Sequence, residues 1–254
     1  MAYSLKTCIC FATLGLFLSQ CLHLGPHPKG QKFNYPLARV KGGVFQMGSP
    51  ELVQYQGRGD DECLHEVSVK SFRMGKYEVT QAQWQLVMGD NPAHHKECPD
   101  CPVENITWDQ LQEFLQKIRQ QTGENYRLPT EQEWEYAAKS GRKSSPVQDS
   151  LAAALDPLAW YAENAGMKTH PVGQKRPNAL GIYDMQGNVN EWCQDLYGPY
   201  PDCFAVGDAA RKAYVVRGGC YFDKKHTCTQ TYRSFAGKFG NLGMGFRLVL
   251  NDEL

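Results

Sequence analysis

The chain has 254 residues, 27 Lys plus Arg balanced by 27 Asp plus Glu, and 42% hydrophobic residues, enough for one large domain with its own core. Zero net charge without a basic run excludes the electrostatic footprint of a nucleic-acid-binding protein. With 24 Gly, 14 Pro and 13 Tyr, the composition favours a turn-rich, loop-rich fold over long helices.

The chain opens like an export signal. Lys6 supplies a positive start, and residues 8–18 (CICFATLGLFL) form an apolar stretch too short to span a bilayer. Ser19 and Cys21 are small residues at the −3 and −1 positions of a cleavage site, which defines a signal over residues 1–21. Alternatively, Leu18-Ser19-Gln20-Cys21 has lipobox character, with Cys21 as a lipid-modified first residue of an outer-membrane lipoprotein and the sole route to a membrane. Either way the expectation is an exported protein, periplasmic or secreted, in which disulfides are permitted.

Residues 22–37 carry Pro, Gly and His without periodicity and read as a linker; the domain proper is expected over residues 38–250. Residues 42–48 suggest a short strand leaving a glycine turn, and residues 65–70 alternate with Val67 and Val69 on one face. Thr80 with Gln83, Thr107 with Gln110 and Thr130 with Glu133 each have capping-box spacing and predict three helix starts. The second helix carries Leu111, Phe114, Leu115 and Ile118 as one apolar stripe. Residues 141–155 suggest an insertion with a short surface helix, residues 160–217 show little regular period, and residues 215–216 and 246–250 read as core strands. The tail, residues 251–254, resembles an ER-retention signal; in a eukaryotic host it would place the protein in the ER lumen, with Asn105-Ile106-Thr107 as a glycosylation acceptor.

Seven segments, in order, resemble the formylglycine-generating-enzyme-like (sulfatase-modifying factor) family: residues 42–49 (GGVFQMGS), 76–80 (KYEVT), 102–108 (PVENITW), 126–138 (YRLPTEQEWEYAA), 177–192 (PNALGIYDMQGNVNEW), 216–219 (VRGG) and 245–249 (GFRLV). The resemblance implies a single α+β domain with a C-type-lectin-like fold, rich in irregular loops. Some relatives oxidise a sulfatase cysteine to formylglycine with copper and oxygen; others are accessory, regulatory or binding proteins, so the fold alone does not fix the activity.

In the active oxidases the Arg-Gly-Gly segment is followed by cysteines at the fourth and ninth positions. Here Arg217-Gly218-Gly219 is followed by Asp223 and Cys228. A carboxylate is a hard, poor ligand for Cu(I), which prefers two thiolates. The expectation is therefore a family member lacking copper–thiolate oxidase chemistry, acting on a protein or peptide partner. The alternatives are a formylglycine-generating oxidase that uses Cys220 and Cys228 as a displaced catalytic pair, and an accessory oxidoreductase of a small-molecule pathway.

The resemblance also implies structural calcium held by Asn188, the Val189 carbonyl and Glu191, with a second, incomplete site at Asn164 and Ala165; relatives usually carry Trp where Asn190 stands. It further implies a Cys193–Cys228 disulfide, closing about 35 residues and worth roughly 3–4 kcal/mol. Cys98 and Cys101 read as a small structural disulfide, and Cys203 could pair with Cys220, leaving Cys63 over. Of His23, His27, His65, His94, His95, His170 and His226, only His23 and His27 are four apart, and Gly25-Pro26 between them denies that pair a helix; no Gly-x-Ser-x-Gly elbow is present. Glu131, Glu133 and Glu135 suit a helix start. Trp134, Trp192, Tyr183 and Phe246 read as core, and Arg127, Arg217 and Arg247 as partners of buried carboxylates.

Overall fold

Three threonines begin the three helices. Thr80, Thr107 and Thr130 sit extended at the N-caps of α1 (Gln81–Met88), α2 (Trp108–Thr122) and α3 (Glu131–Ala138), and each makes the full reciprocal capping box with Gln83, Gln110 or Glu133. The computed structural model describes residues 32–49, 63–142, 155–200 and 212–252. The export signal, Cys21, linker residues 22–31, Cys203, residues 143–154 of the insertion and the last two residues lie outside the described residues. Residues 32–254 form one compact unit.

Nine strands are present among the described residues: β1 (Leu37–Val40), β2 (Gly43–Met47), β3 (His65–Val69), β4 (Phe72–Gly75), β5 (Asn190–Leu196), β6 (Tyr214–Arg217), β7 (Arg233–Ala236), β8 (Met244–Gly245) and β9 (Val249–Asn251). They form three small sheets, ordered β1-β4-β9, β2-β3 and β7-β6-β5-β8. The pairs are antiparallel except β5 with β8. In β3, Val67 and Val69 are buried between exposed neighbours, as the alternation requires. The stripe of α2 buries Leu111, Phe114 and Ile118 beside Trp84 and Phe246.

Two boundaries differ from expectation. Residues 33–37 are part of the packed domain: Phe33 and Tyr35 contact Phe114 and Tyr126. The Tyr35 hydroxyl donates to the Tyr77 carbonyl (2.7 Å) and accepts from the Leu248 amide (3.0 Å). At the other end, Asn251 pairs with Phe72 in the β4–β9 ladder and Asp252 forms an ion pair with Arg39, so both belong to the domain. Strand β5 also breaks the expectation of an irregular centre. Glu191, Trp192 and Cys193 are all buried, and a register shift follows Trp192, so no alternation marks the strand.

Buried ion pairs tie the sheets to α3. Arg233 donates to both oxygens of Glu131 (2.6 and 2.8 Å), and Arg217 donates to Glu135 (2.5 Å) and to the carbonyls of Gln230 and Thr231. Glu135 also binds Lys139 (2.7 Å) and the Gly48 amide (2.7 Å). The three carboxylates at the start of α3 therefore serve the fold, with Glu133 clamped by Arg127 through two 2.7 Å bonds.

Arg217→Met should leave Glu131 and Glu135 short of a buried cation and lower stability by about 3–5 kcal/mol. Thr107→Ala should remove only a cap, worth about 1 kcal/mol. Urea unfolding of the two variants beside the unaltered protein should show that order.

Candidate functional site

The site is built where β5 and β6 end side by side. Glu191 of β5 faces Arg217 of β6 in register, which brings Asn190 beside the turn that begins at Gly218. That turn needs its glycines. Gly219 has φ +73, and a Cβ there would lie 2.6 Å from the Cys228 sulfur and 2.9 Å from the Thr227 carbonyl oxygen. Gly243 has φ +75, and a Cβ there would lie 2.9 Å from the Phe222 ring and 3.0 Å from the Cys220 sulfur. The chain thus folds back on itself between residues 218 and 228, with a short 3-10 turn at Lys225–Thr227 placing Cys228 in the interior.

Asp223 organises this turn. One of its carboxylate oxygens accepts from the Cys220 amide (3.0 Å) and from the Asn190 side-chain amide (3.1 Å). Its own amide donates to the Cys220 carbonyl (2.9 Å), and its carbonyl accepts from Ala162 (2.9 Å). Asn190 and Asp223, the two residues that stand where the resemblance implies Trp and Cys, are therefore hydrogen-bonded to each other.

Cys220 and Cys228 are both buried and carry free thiols, with the Cys228 sulfur 4.0 Å from the Cys220 carbonyl oxygen. They pack in different apolar clusters: Cys228 with Leu155, Ala159 and Tyr161, and Cys220 with Ala165 and Tyr221. Burial, reinforced by the Asp223 charge, pushes the Cys228 thiol up to about 12 and the Cys220 thiol higher still. Neither is poised as a thiolate.

The cysteine pairing differs from expectation except at Cys98–Cys101, which are bridged. Cys63 is disulfide-bonded instead of left over. Cys193 and Cys228 are both free: Cys193 lies in the core under α3, among Trp134 and Met185, whereas Cys228 sits in the separate cluster under Tyr161. Cys220 is free as well, so it has no bridge to Cys203.

Four of the five expected calcium donors, Asn188, Glu191, Asn164 and the Ala165 carbonyl, are engaged within the protein itself. Glu191 receives Arg247 on both oxygens (2.5 and 2.6 Å) and the Trp134 indole N–H (2.7 Å). The Asn188 side-chain oxygen accepts from the His170 amide (3.0 Å), while its nitrogen donates to Glu78 (2.8 Å). At the second position, Asn164 accepts from the Tyr161 amide and the Ala165 carbonyl meets the His170 ring (2.8 Å). A guanidinium already neutralises the one carboxylate of the set, so the arrangement does not fit a calcium ion. Among the described residues, no three His, Cys, Asp or Glu side chains converge to hold a metal.

Three buried carboxylates were not foreseen as site-shaping groups. Glu104 accepts from the amides of His94, His95 (3.3 Å) and Gly243 (3.0 Å), bracing the loops around Cys220. Glu78 lies under Asn188 and Val189, and Asp184 accepts from the Gly173 amide (2.6 Å). Glu78 sits inside the KYEVT segment and Asp184 just before Met185-Gln186-Gly187-Asn188, but an acidic residue in a motif does not reveal its burial. Burial is the main cause raising the Glu78 carboxyl well above the usual range, and it raises Asp184 to about 6.

Compared with known proteins, residues 27–252 match the Sulfatase-modifying factor enzyme 1-like domain. A protein of Paenibacillus barcinonensis named Chaperone protein LppX is 34% identical, over 82% of this chain and 85% of its own length. The formylglycine-generating enzyme of Streptomyces coelicolor is 31% identical over 61% of this chain, and the match spans only 54% of that enzyme. Among solved structures, Treponema denticola variable protein 1 superposes with a TM-score of 0.74 at 28% identity, covering 86% of this chain and 95% of that one. The expected fold is thus present: small sheets, few helices and long irregular connections.

Two measurements check this geometry. Cys193, Cys220 and Cys228 should resist an aqueous thiol reagent at pH 8 in the native protein and react once it is unfolded, as read by mass mapping of the labelled peptides. Asp184 binds its proton more tightly folded than unfolded, so its stabilising contribution is complete below about pH 4 and is lost as pH rises through about 6. Relative to the unaltered protein, Asp184→Asn should therefore gain on the order of 2–3 kcal/mol between pH 4 and pH 7 in urea unfolding, with no further gain above.

Proposed function

The chain belongs to the sulfatase-modifying factor enzyme 1-like family, and from that premise we propose that it is an exported binding, accessory or regulatory protein of a protein or peptide partner, without copper–thiolate oxidase chemistry. The observation that carries the reading is the occupation of one copper-ligand position by Asp223, whose carboxylate is satisfied by the Cys220 amide and by Asn190. Cu(I) prefers paired soft sulfur donors. Here the hard carboxylate holds a turn, and the neighbouring thiols are buried and protonated. The residues present do not fit copper, and no oxidation step is assigned to them.

A protein partner is supported by what relatives are named for: one is a chaperone, and another generates formylglycine. Both names describe action on other polypeptides; for this chain they motivate the class of partner, not its identity. Export rests on the amino-terminal sequence, with Cys21 as the candidate point of lipid attachment.

A second reading keeps oxidase activity on a Cys220–Cys228 pair, favoured by the fact that both thiols are unbridged and share one turn. Titration of the reduced protein with Cu(I) against a chromophoric chelator separates the two. The proposal expects no tight one-to-one complex from the unaltered protein and the appearance of one in Asp223→Cys. A tight complex in the unaltered protein that disappears in Cys228→Ser, together with conversion of a Cys-x-Pro-x-Arg peptide to its aldehyde, would establish the oxidase instead.

A further inference from the structure

Cys98 and Cys101 close a disulfide across a sequence separation of 3, beside the start of α1. The two ends of that bridge differ. Cys98 is half-buried, and Pro99 and Asp100 after it are exposed. Cys101 is 2% exposed, with its sulfur 3.8 Å from the Thr169 carbonyl oxygen. The bridge is thus reached from solvent at Cys98 and closed off at Cys101. The free thiols among the described residues, Cys193, Cys220 and Cys228, are all buried.

A disulfide in an exported chain is ordinarily a staple. Two features set this one apart. It closes a very short loop, and a bridge constrains the unfolded chain less as its loop shortens. The turn it spans is also held without it. The Cys101 amide donates to the Cys98 carbonyl (2.9 Å), closing the same turn through the backbone. The amides of Gln81 and Ala82 donate to the carbonyls of Cys101 (2.9 Å) and Pro99 (3.0 Å), and the Val172 amide donates to the Asp100 carbonyl (3.0 Å). Opening the S–S bond therefore leaves the two cysteines on a fixed turn, placed to close again. Gln81 and Ala82 are the first residues of α1, so the positive end of that helix faces the loop and favours a thiolate released there.

We propose that Cys98–Cys101 is a thiol–disulfide exchange site, open to cysteine-type thiols at Cys98. An incoming thiolate attacks the Cys98 sulfur and forms a mixed disulfide with it. The Cys98–Cys101 bond breaks, and Cys101 leaves with the electron pair and takes a proton from water. A second thiolate then attacks the incoming sulfur of the mixed disulfide, and Cys98 leaves and is protonated in turn. Two thiols are thereby oxidised to one disulfide while the protein bridge gains two electrons and becomes a dithiol. The reverse sequence passes those electrons to a disulfide. The site goes beyond the reading of the chain as a binding or accessory protein and does not rest on it, because neither copper nor Cys220 and Cys228 take part.

The test uses the full chain, purified without reductant, and two probes: reduced glutathione and a peptide with a single cysteine. After incubation at about pH 8, acid quenching and alkylation, mass mapping reads the state of Cys98 and Cys101. The bridge is expected to open to millimolar thiol while the far-ultraviolet circular dichroism stays native. Reaction with glutathione alone assigns small thiols to the site, and reaction with the peptide assigns polypeptide thiols. In Cys101→Ser, Cys98 should take up glutathione from glutathione disulfide; in Cys98→Ser, Cys101 should do so about tenfold or more slowly. A bridge that stays closed to both probes until the protein unfolds, or equal rates at the two single cysteines, would overturn the proposal. The first of these readings needs no variant and stands even if neither variant folds. The Cu(I) titration reports on the non-oxidase reading independently, so either statement can fail without the other.

Discussion

The fold depends on guanidinium groups withdrawn from water and satisfied inside it. Arg217 and Arg247 are essentially unexposed and Arg233 nearly so, and each reaches a carboxylate from a distant part of the chain. Such pairs are not strong net contributors, because desolvation opposes the attraction. Their value here is positional. The longest described strand has only seven residues and two of the helices only eight, so regular ladders cannot fix how the pieces lie. A buried arginine with several donors accepts few alternative arrangements: Arg247 alone binds Glu191 and the carbonyls of Gly75, Tyr183 and Asp184. Mispairing any of these would strand a charge in the core, at a cost of several kcal/mol.

The site inherits its precision from that network. Glu191 is held by Arg247 and Trp134, and its neighbour Asn190 is aimed at Asp223 as a result. Arg217 is held by Glu135, and the glycine turn that begins after it carries Cys220 and, through the next turn, Cys228. The same carboxylate that the family resemblance offered as a calcium ligand is therefore the one that sets the strand bearing the site. With Arg247 on both its oxygens, Glu191 is already ion-paired within the fold.

What could be read from the sequence was what is decided locally. The three capping boxes depend on residues three apart, and all three formed. The arginines beside core motifs were legible because an Arg within an apolar run must find a carboxylate or remain unsolvated. Pairings across the fold were not legible. Cys193 and Cys228 looked like a bridge, but nothing in their spacing reveals that one packs under α3 and the other under Tyr161. Tyr35 looked like part of a linker because its two hydrogen-bond partners, at Tyr77 and Leu248, are 42 and 213 residues away. Strand β5 was hidden because three successive residues are buried, leaving no alternation to detect. Asn190 and Asp223 were each visible as departures from the pattern that the resemblance implies; only the fold shows that they are hydrogen-bonded to each other.

That last point bears on how an aspartate is accommodated at this turn. An aspartate at position 223 without Asn190 would keep only the Cys220 amide as a donor to its carboxylate beside apolar surface, a costlier arrangement. Replacing a tryptophan by asparagine alone would remove ring volume and add an amide needing a partner. Made together, the two changes satisfy each other, with the Cys220 amide as a second donor to the same carboxylate. The half-exposed setting of Asp223 lowers the cost further, because water reaches part of the group. The result is a polar, hydrogen-bonded turn in the place where soft-metal chemistry would need bare sulfur. Such a turn fixes the shape of the loops around it, with Ala162 and Cys220 tied to Asp223 through their backbones.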